Sequence, residues 1–328
     1  MVRRYKQVWL VLGAALLFCA LAMAASASAQ AQVVHGVTIQ VDGEVRSLSE
    51  PAQMREGRLY VPVTRVAELF QVQGMSWKAS HQEATIITST DDTIVLGNGV
   101  PVVYFNDERY RMDVAPFVSS GRMYVPLRHV AELLHAHVHW DADALQAIFT
   151  VQEPVVVEED FGLREISALY GSSSAQLLKR NGLQAAEQVK TGTSLLVVVP
   201  SIFDNKAEPY SEQDFNLLAK ITQVESGYES YAGQLAVANV ILNRVKHAQF
   251  PDSIRDVIYS GRQFPPAHNG LMDKSVPNAS VKRAVKDALN GKNNVGSAVY
   301  FYNPRVTRGA FWNGLQTVAT IGNHRFAR

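Results

Sequence analysis

One fourteen-residue pattern occurs twice in this chain, as GRLYVPVTRVAELF at 57–70 and GRMYVPLRHVAELL at 121–134. Such self-similarity marks two copies of one small unit that must bury their apolar faces together. In each copy a glycine, Gly57 or Gly121, fits the turn before a short strand. Pro62 and Pro126 then mark the strand end and the entry to a helix. The helix presents Val66, Leu69 and Phe70 in the first copy, and Val130, Leu133 and Leu134 in the second, at the i, i+3, i+4 spacing of a buried stripe. Each copy continues to a tryptophan, Trp77 or Trp140, and alternating runs at 85–88 and 93–96 read as strands. Residues 33–152 are therefore expected to form one pseudo-symmetric α+β module.

The remaining length requires more than this module. A chain of 328 residues has a prior of two or three domains. Its 47% hydrophobic and 19% charged content excludes a disordered chain. The net charge of +1 conceals an acidic front, with 14 basic and 22 acidic residues at 30–210, and a basic back, with 14 basic and 8 acidic residues at 211–328. That split argues for separate modules and gives the back a long-range attraction to polyanions.

Residues 1–29 read as a signal peptide. Arg3, Arg4 and Lys6 precede an apolar run from Val8 to Ala25, and Ala27-Ser28-Ala29 offers a cleavage site before Gln30. An uncleaved anchor is the rival reading, because 18 apolar residues just span a bilayer. Cleavage removes Cys19, the single cysteine, so the mature chain has no disulfide and depends on packed cores. The chain is expected to be secreted, without stable membrane insertion after cleavage.

The doubled YVP(L/V)-x-x-VAEL pattern resembles the copper amine oxidase N-terminal-like domain over about 115 residues, which implies an accessory stalk module rather than a copper enzyme. His135, His137 and His139 alternate and would share one face of a strand, where three imidazoles suit a transition metal. The first copy has Val72, Gly74 and Ser76 at those places, so a solvated strand face is the reading adopted, with no metal and no cofactor.

Residues 154–200 read as strand, helix, helix, strand, with the strands at 155–157 and 195–199. This segment resembles a LysM domain at Ile166, Ala168, Tyr170, Gly171, Leu177, Asn181, Gly182, Leu183, Gly192 and Pro200. The resemblance implies a small βααβ module that binds N-acetylglucosamine-containing glycans such as peptidoglycan. Two departures stand out: Glu-Asp-Phe-Gly replaces the usual Gly-Asp-Thr-Leu, and Val-Pro replaces the closing Ile-Pro. Residues 201–210 (SIFDNKAEPY) are polar and read as a linker.

Residues 211–328 begin with a helix capped by Ser211 and Asp214. Phe215, Leu218, Thr222 and Glu225 share one face of it, and Gly227 stops it. A carboxyl beside apolar groups at a helix C-terminus is disfavoured as an anion and can act as a general acid. Spacing alone leaves open the ordinary alternative of a helix-end Glu in solvent. The stretch at 261–278, rich in Gly, Pro and Asn, reads as a cleft wall.

GQLAVANVILNRV, FPDSIRDVIY, YFYNP and TIGNHRF occur in order and resemble the spore-cortex-lytic and cell wall hydrolase family of the SleB type. The resemblance implies a mainly α, lysozyme-like catalytic domain and maps the pattern E-x-x-x-E-x-x-x-G-Q onto Glu225, Glu229, Gly233 and Gln234. It gives Glu225 the role of catalytic acid/base. It also implies cleavage of the MurNAc–GlcNAc strand as a lytic transglycosylase, in which one Glu suffices, and a location at the cell wall or spore envelope. Glu229, Gln234, Tyr302, Asn303 and Trp312 are the further candidates for catalysis or sugar binding. A muramidase using water and a non-catalytic wall-binding protein are the alternatives. No nucleic-acid motif, P-loop or dinucleotide fingerprint is recognised.

Overall fold

The computed structural model describes residues 31–261 and 263–328. The segment read as a signal peptide, with Cys19, lies outside the described residues. No described helix is long and apolar enough to cross a membrane.

The N-terminal module runs β1 (Gln32–Val34), β2 (Thr38–Val41), β3 (Glu44–Ser47), β4 (Ala52–Arg55), β5 (Arg58–Pro62), α1 (Val63–Leu69), β6 (Gly74–Lys78), β7 (Glu83–Ile87) and β8 (Thr93–Gly97). It continues with β9 (Val102–Phe105), β10 (Glu108–Arg111), β11 (Phe117–Ser119), β12 (Arg122–Pro126), α2 (Leu127–Leu133), β13 (Ala136–Asp141) and β14 (Gln146–Val151). The strands form three sheets, ordered β1-β4-β5-β12-β11, β10-β9-β8-β7-β6 and β13-β14-β2-β3. Glu56-Gly57 and Ser120-Gly121 all have positive φ. That is the two-residue hairpin turn whose twist matches right-handed strands. Pro62 and Pro126 end β5 and β12 in extended conformation and precede the two helices. The two repeated strands pair antiparallel with Val61 opposite Val125, so the copies share one core.

The three histidines do not form the expected strand face. His135 lies outside β13, in the left-handed region at φ 61°, and is buried. His137 and His139 are on the exposed side of the strand. The helix α2 ends just before His135, and the chain must turn there to reverse into β13. Burial pushes the His135 imidazole down to about 4.

Residues 154–200 form β15 (Val155–Val156), α3 (Leu163–Leu169), α4 (Ser174–Arg180) and β16 (Ser194–Leu195), with β15 and β16 antiparallel. Ile166, Leu177 and Leu195 are fully buried between them. The closing strand is shorter than the expected 195–199. Its following backbone bonds side chains instead: Val197 N–H reaches His135 Nε2 at 3.4 Å, and the Val198 carbonyl accepts from Arg180 Nε at 3.1 Å. Arg180 also pairs with Asp92 of the N-terminal module at 2.7 Å, both side chains being under 10% exposed.

The stretch read as a linker is a packed strap. Ile202 and Phe203 are buried in the core of the first module, and Phe203 stacks on Tyr110 at 4.8 Å. Arg111 N–H donates to the Asn205 carbonyl at 2.7 Å, and Ala207 N–H to the Arg109 carbonyl at 2.9 Å. Two apolar side chains in SIFDNKAEPY and a free edge at β10 are sufficient cause.

The C-terminal domain is built on α5 (Glu212–Ser226), α6 (Tyr231–Val245), α7 (Ile254–Tyr259), α8 (Leu271–Lys274) and α9 (Ala279–Leu289). It ends in β17 (Tyr300–Tyr302), α10 (Ala310–Gly314), β18 (Thr317–Ile321) and β19 (His324–Ala327), with sheet order β17-β19-β18. Helix α6 is buried continuously from Gly233 to Ile241. One side packs on α5 and α9, and the other packs Ala236, Val237 and Val240 against Phe326 of the sheet. A helix apolar all round is central by necessity.

Candidate active site

Glu225 sits in the last turn of α5, and Gly227 caps that helix. A Cβ on Gly227 would collide with the Gln223 carbonyl and side chain, so only glycine lets the chain turn here. Glu229 N–H then bonds the Ser226 carbonyl at 2.9 Å. The Glu225 carboxyl is partly buried, and burial pushes it up to about 7, with the Arg244 charge acting in the opposite direction.

Arg244, in the last turn of α6, is buried. Its Nε donates to the Val299 carbonyl at 2.6 Å. Its guanidinium lies over Phe250, Phe264 and Tyr300, at 5.1, 5.2 and 5.8 Å from their centroids. Burial lowers its pKa to about 10, so it stays charged at neutral pH. Nη1 has no hydrogen-bond partner among the described residues.

Glu225 and Arg244 line a cleft of about 600 Å³. The rest of the wall comes from Phe264, Tyr300, Tyr302, Asn303, Phe311, Trp312 and His324. Tyr302 O–H donates to the Trp312 carbonyl at 3.2 Å and its ring lies 4.9 Å from the indole. Asn303 Oδ1 accepts from Arg305 N–H at 3.0 Å, which turns the loop beyond β17. Phe311 is 57% exposed and edge-on to both Tyr300 and Trp312. Aromatic faces with a few polar groups and one neutral acid suit a sugar chain.

The structure thus brings together Glu225, Tyr302, Asn303 and Trp312. Gln234 is different: it is buried, and its amide nitrogen donates to the Gly227 and Glu229 carbonyls at 3.3 and 3.0 Å. Its oxygen accepts from Ser280 Oγ at 2.6 Å, so every strong bond it makes holds the turn after α5. Glu229 is not on the cleft wall. Its carboxylate accepts from Asn323 Nδ2 at 3.2 Å and lies 3.7 Å from His324 Nδ1, packed over Gly322. Burial lowers the His324 pKa, and Glu229 opposes that.

Arg244, Tyr300, Phe311 and His324 were not singled out from sequence. Arg244 did leave a signal, since it follows Val240 by one turn on a helix face that is otherwise apolar. The loop at 261–278 does contribute Gln263 and Phe264 to the wall.

Residues 228–327 match the family described as Cell Wall Hydrolase, a span that opens just beyond Glu225. Residues 38–149 match the Copper amine oxidase N-terminal domain. The spore cortex-lytic enzyme of Bacillus cereus is 40% identical over 125 residues, or 38% of this chain and 48% of that protein. That of Oceanobacillus iheyensis is 39% identical over 130 residues, or 39% and 46%. The chain spans about half the length of these curated relatives. The crystal structure of the catalytic domain of the Bacillus cereus SleB protein is 38% identical, covering 37% of this chain and 94% of that one, with a TM-score of 0.35.

Copper does not follow from the second match. The candidate trio His135, His137 and His139 is split between one buried and two exposed positions, so the three do not form one ligand face. The chain therefore carries a domain of the cell wall hydrolase family, similar to spore cortex-lytic enzymes, behind a copper amine oxidase N-terminal domain.

Proposed function

We propose that this protein is an exported peptidoglycan-degrading enzyme that cleaves the MurNAc–GlcNAc strand as a lytic transglycosylase, with Glu225 as its single acid/base. The observation that carries this reading is a carboxyl pushed up to about 7 by burial in the lining of an aromatic cleft, with a buried arginine beside it. Glu225 donates its proton to the glycosidic oxygen as the bond to the muramic C1 breaks. The carboxylate, favoured by Arg244, then takes the proton of the muramic 6-hydroxyl. That oxygen closes on C1, leaving a 1,6-anhydro end and restoring the acid.

A muramidase using water needs a second carboxylate across the scissile bond. Glu229 is the nearest in sequence, and its engagement by Asn323 behind the cleft wall favours the single-acid route. The 154–200 module is proposed as a LysM-type glycan anchor, and the repeated module as its pseudo-symmetric stalk. The relatives' names favour spore cortex over vegetative wall as substrate, and so a role in germination.

The test is digestion of purified cortex and vegetative sacculi side by side by wild type and Glu225→Gln, with mass spectrometry of the released muropeptides. Wild type should yield anhydro ends and the variant at least about 100-fold less product. Equal activity in both would remove Glu225 from the reaction. Reducing ends would replace the transglycosylase by the muramidase, and inactivity of both would leave a wall-binding protein.

A further inference from the structure

The N-terminal module holds a second cavity, of about 430 Å³, where β5, α2 and β13 meet the strap. Its origin can be traced by comparing the two copies of the repeat. In one set Glu50 pairs with Arg65 of α1 at 2.5 Å and with Arg122 of β12 at 3.3 Å. In the other Asp113 bonds His129 of α2 at 2.5 Å and pairs with Arg58 of β5. Arg65 and His129 hold the same place in the repeated segment, as do Arg58 and Arg122. Each acid therefore ties the helix of one copy to the strand of the other. The second set is built from shorter side chains, Asp for Glu and imidazole for guanidinium, and the space beside it is open.

That space is lined by apolar groups on one side, Trp140, Leu59 and Val138, and by the Arg58–Asp113–His129 set on the other. His129 Nδ1 is buried and has no partner among the described residues. Ser201, Ile202 and Asn205 of the strap line the cavity too, so the docked strap is part of its wall.

We propose that this cavity is a second binding site, for a neutral N-acetylated sugar unit of a glycan strand. The size lies within the range of small-molecule sites. A flat indole offers a stacking face. The polar side has donors and acceptors fixed by mutual bonds, which match hydroxyls that both donate and accept. Arg58 and Asp113 neutralise one another, and the exposed Arg128 is the remaining charge of the lining, so saturation by an anionic ligand would count against the neutral sugar. The choice of an N-acetylated sugar rests on the proposed activity; the existence of a ligand site does not.

The experiment uses the full chain carrying Glu225→Gln, labelled with fluorotryptophan, and fluorine NMR with chitotetraose as probe. Trp140→Phe assigns the resonance. The Trp140 signal should shift saturably. The double variant Asp113→Glu/His129→Arg, which installs the pair the first copy already accommodates, should fill the cavity and weaken that shift at least about 10-fold with melting temperature retained. An unmoved Trp140 signal at millimolar probe would overturn the proposal. So would unchanged affinity in the filled variant, or saturation by a peptidoglycan stem peptide instead of the sugar. Cleavage assays on Glu225 variants read a different site, so the two ideas fail separately.

Discussion

A carboxyl that titrates near 7 ties activity and stability to the same proton. Glu225 is raised from its ordinary 4.5 by burial, so the folded state holds its proton more tightly than the unfolded state does. Its favourable contribution is complete below about pH 4.5 and is lost as pH rises through 7. Glu225→Gln removes that loss. Chemical denaturation should show the variant more stable than wild type by about 2 kcal/mol at pH 8, after allowance for partial exposure, and equal to it at pH 4. A wild-type advantage at pH 8 would contradict the burial argument. The catalytic acid should also be spent as pH rises, giving kcat/KM an alkaline limb near 7. Arg244 lowers the Glu225 pKa, while Tyr300 and His324 share the cleft. Arg244→Gln should move the limb up by about one unit and lower kcat, whereas Arg244→Lys should leave the limb near its place. A limb unmoved by Arg244→Gln would reduce this residue to packing.

At the scale of elements, the turn between α5 and α6 decides where the acid points. Gln234 stitches that turn to α9 through Ser280. Gln234→Ala should cost about 1–3 kcal/mol in thermal or chemical unfolding, because two carbonyls and a hydroxyl lose a buried partner. KM of the folded enzyme should be unchanged; a raised KM with intact stability would return Gln234 to the sugar-binding set. The helix after Ser211, its cap and the repeated turn–strand–helix units were legible because local rules govern them. The share of α6 given to two cores was not, since periodicity reports one buried face and α6 has two. Nor was the backbone bonding of Gln234 legible. A polar side chain in a motif looks the same in sequence whether it meets a ligand or a neighbouring backbone.

Across the whole molecule, the modules are joined by polar contacts rather than by a loose tether. Arg180 and Asp92 form a buried pair between the βααβ module and the first module. Lys286 and Glu83 pair at 2.6 Å between α9 and β7, and Arg109 donates to the Leu289 carbonyl at the C-terminus of α9. Asp92→Ala leaves a guanidinium buried and should cost about 3–5 kcal/mol in denaturant titration, while the double change Asp92→Leu/Arg180→Met should recover most of it. A loss under about 1 kcal/mol for the single variant would mean that the pair is open to water. The division of charge between front and back argued for separate modules and said nothing of ions joining one part of the chain to another.

By itself, the order of residues determined the repeated strand–helix units, the βααβ segment, the capped helix carrying Glu225 and the aromatic motif of β17. Each rests on turn chemistry, capping and periodicity that act within a few residues. Only the tertiary structure decided that Arg244 faces Glu225, that Glu229 turns away to Asn323, that His135 is buried while His137 and His139 are not, and that SIFDNKAEPY is a strap. Those outcomes depend on which surfaces meet. Burial and pairing over a hundred residues of separation are set by the competition of all such surfaces at once.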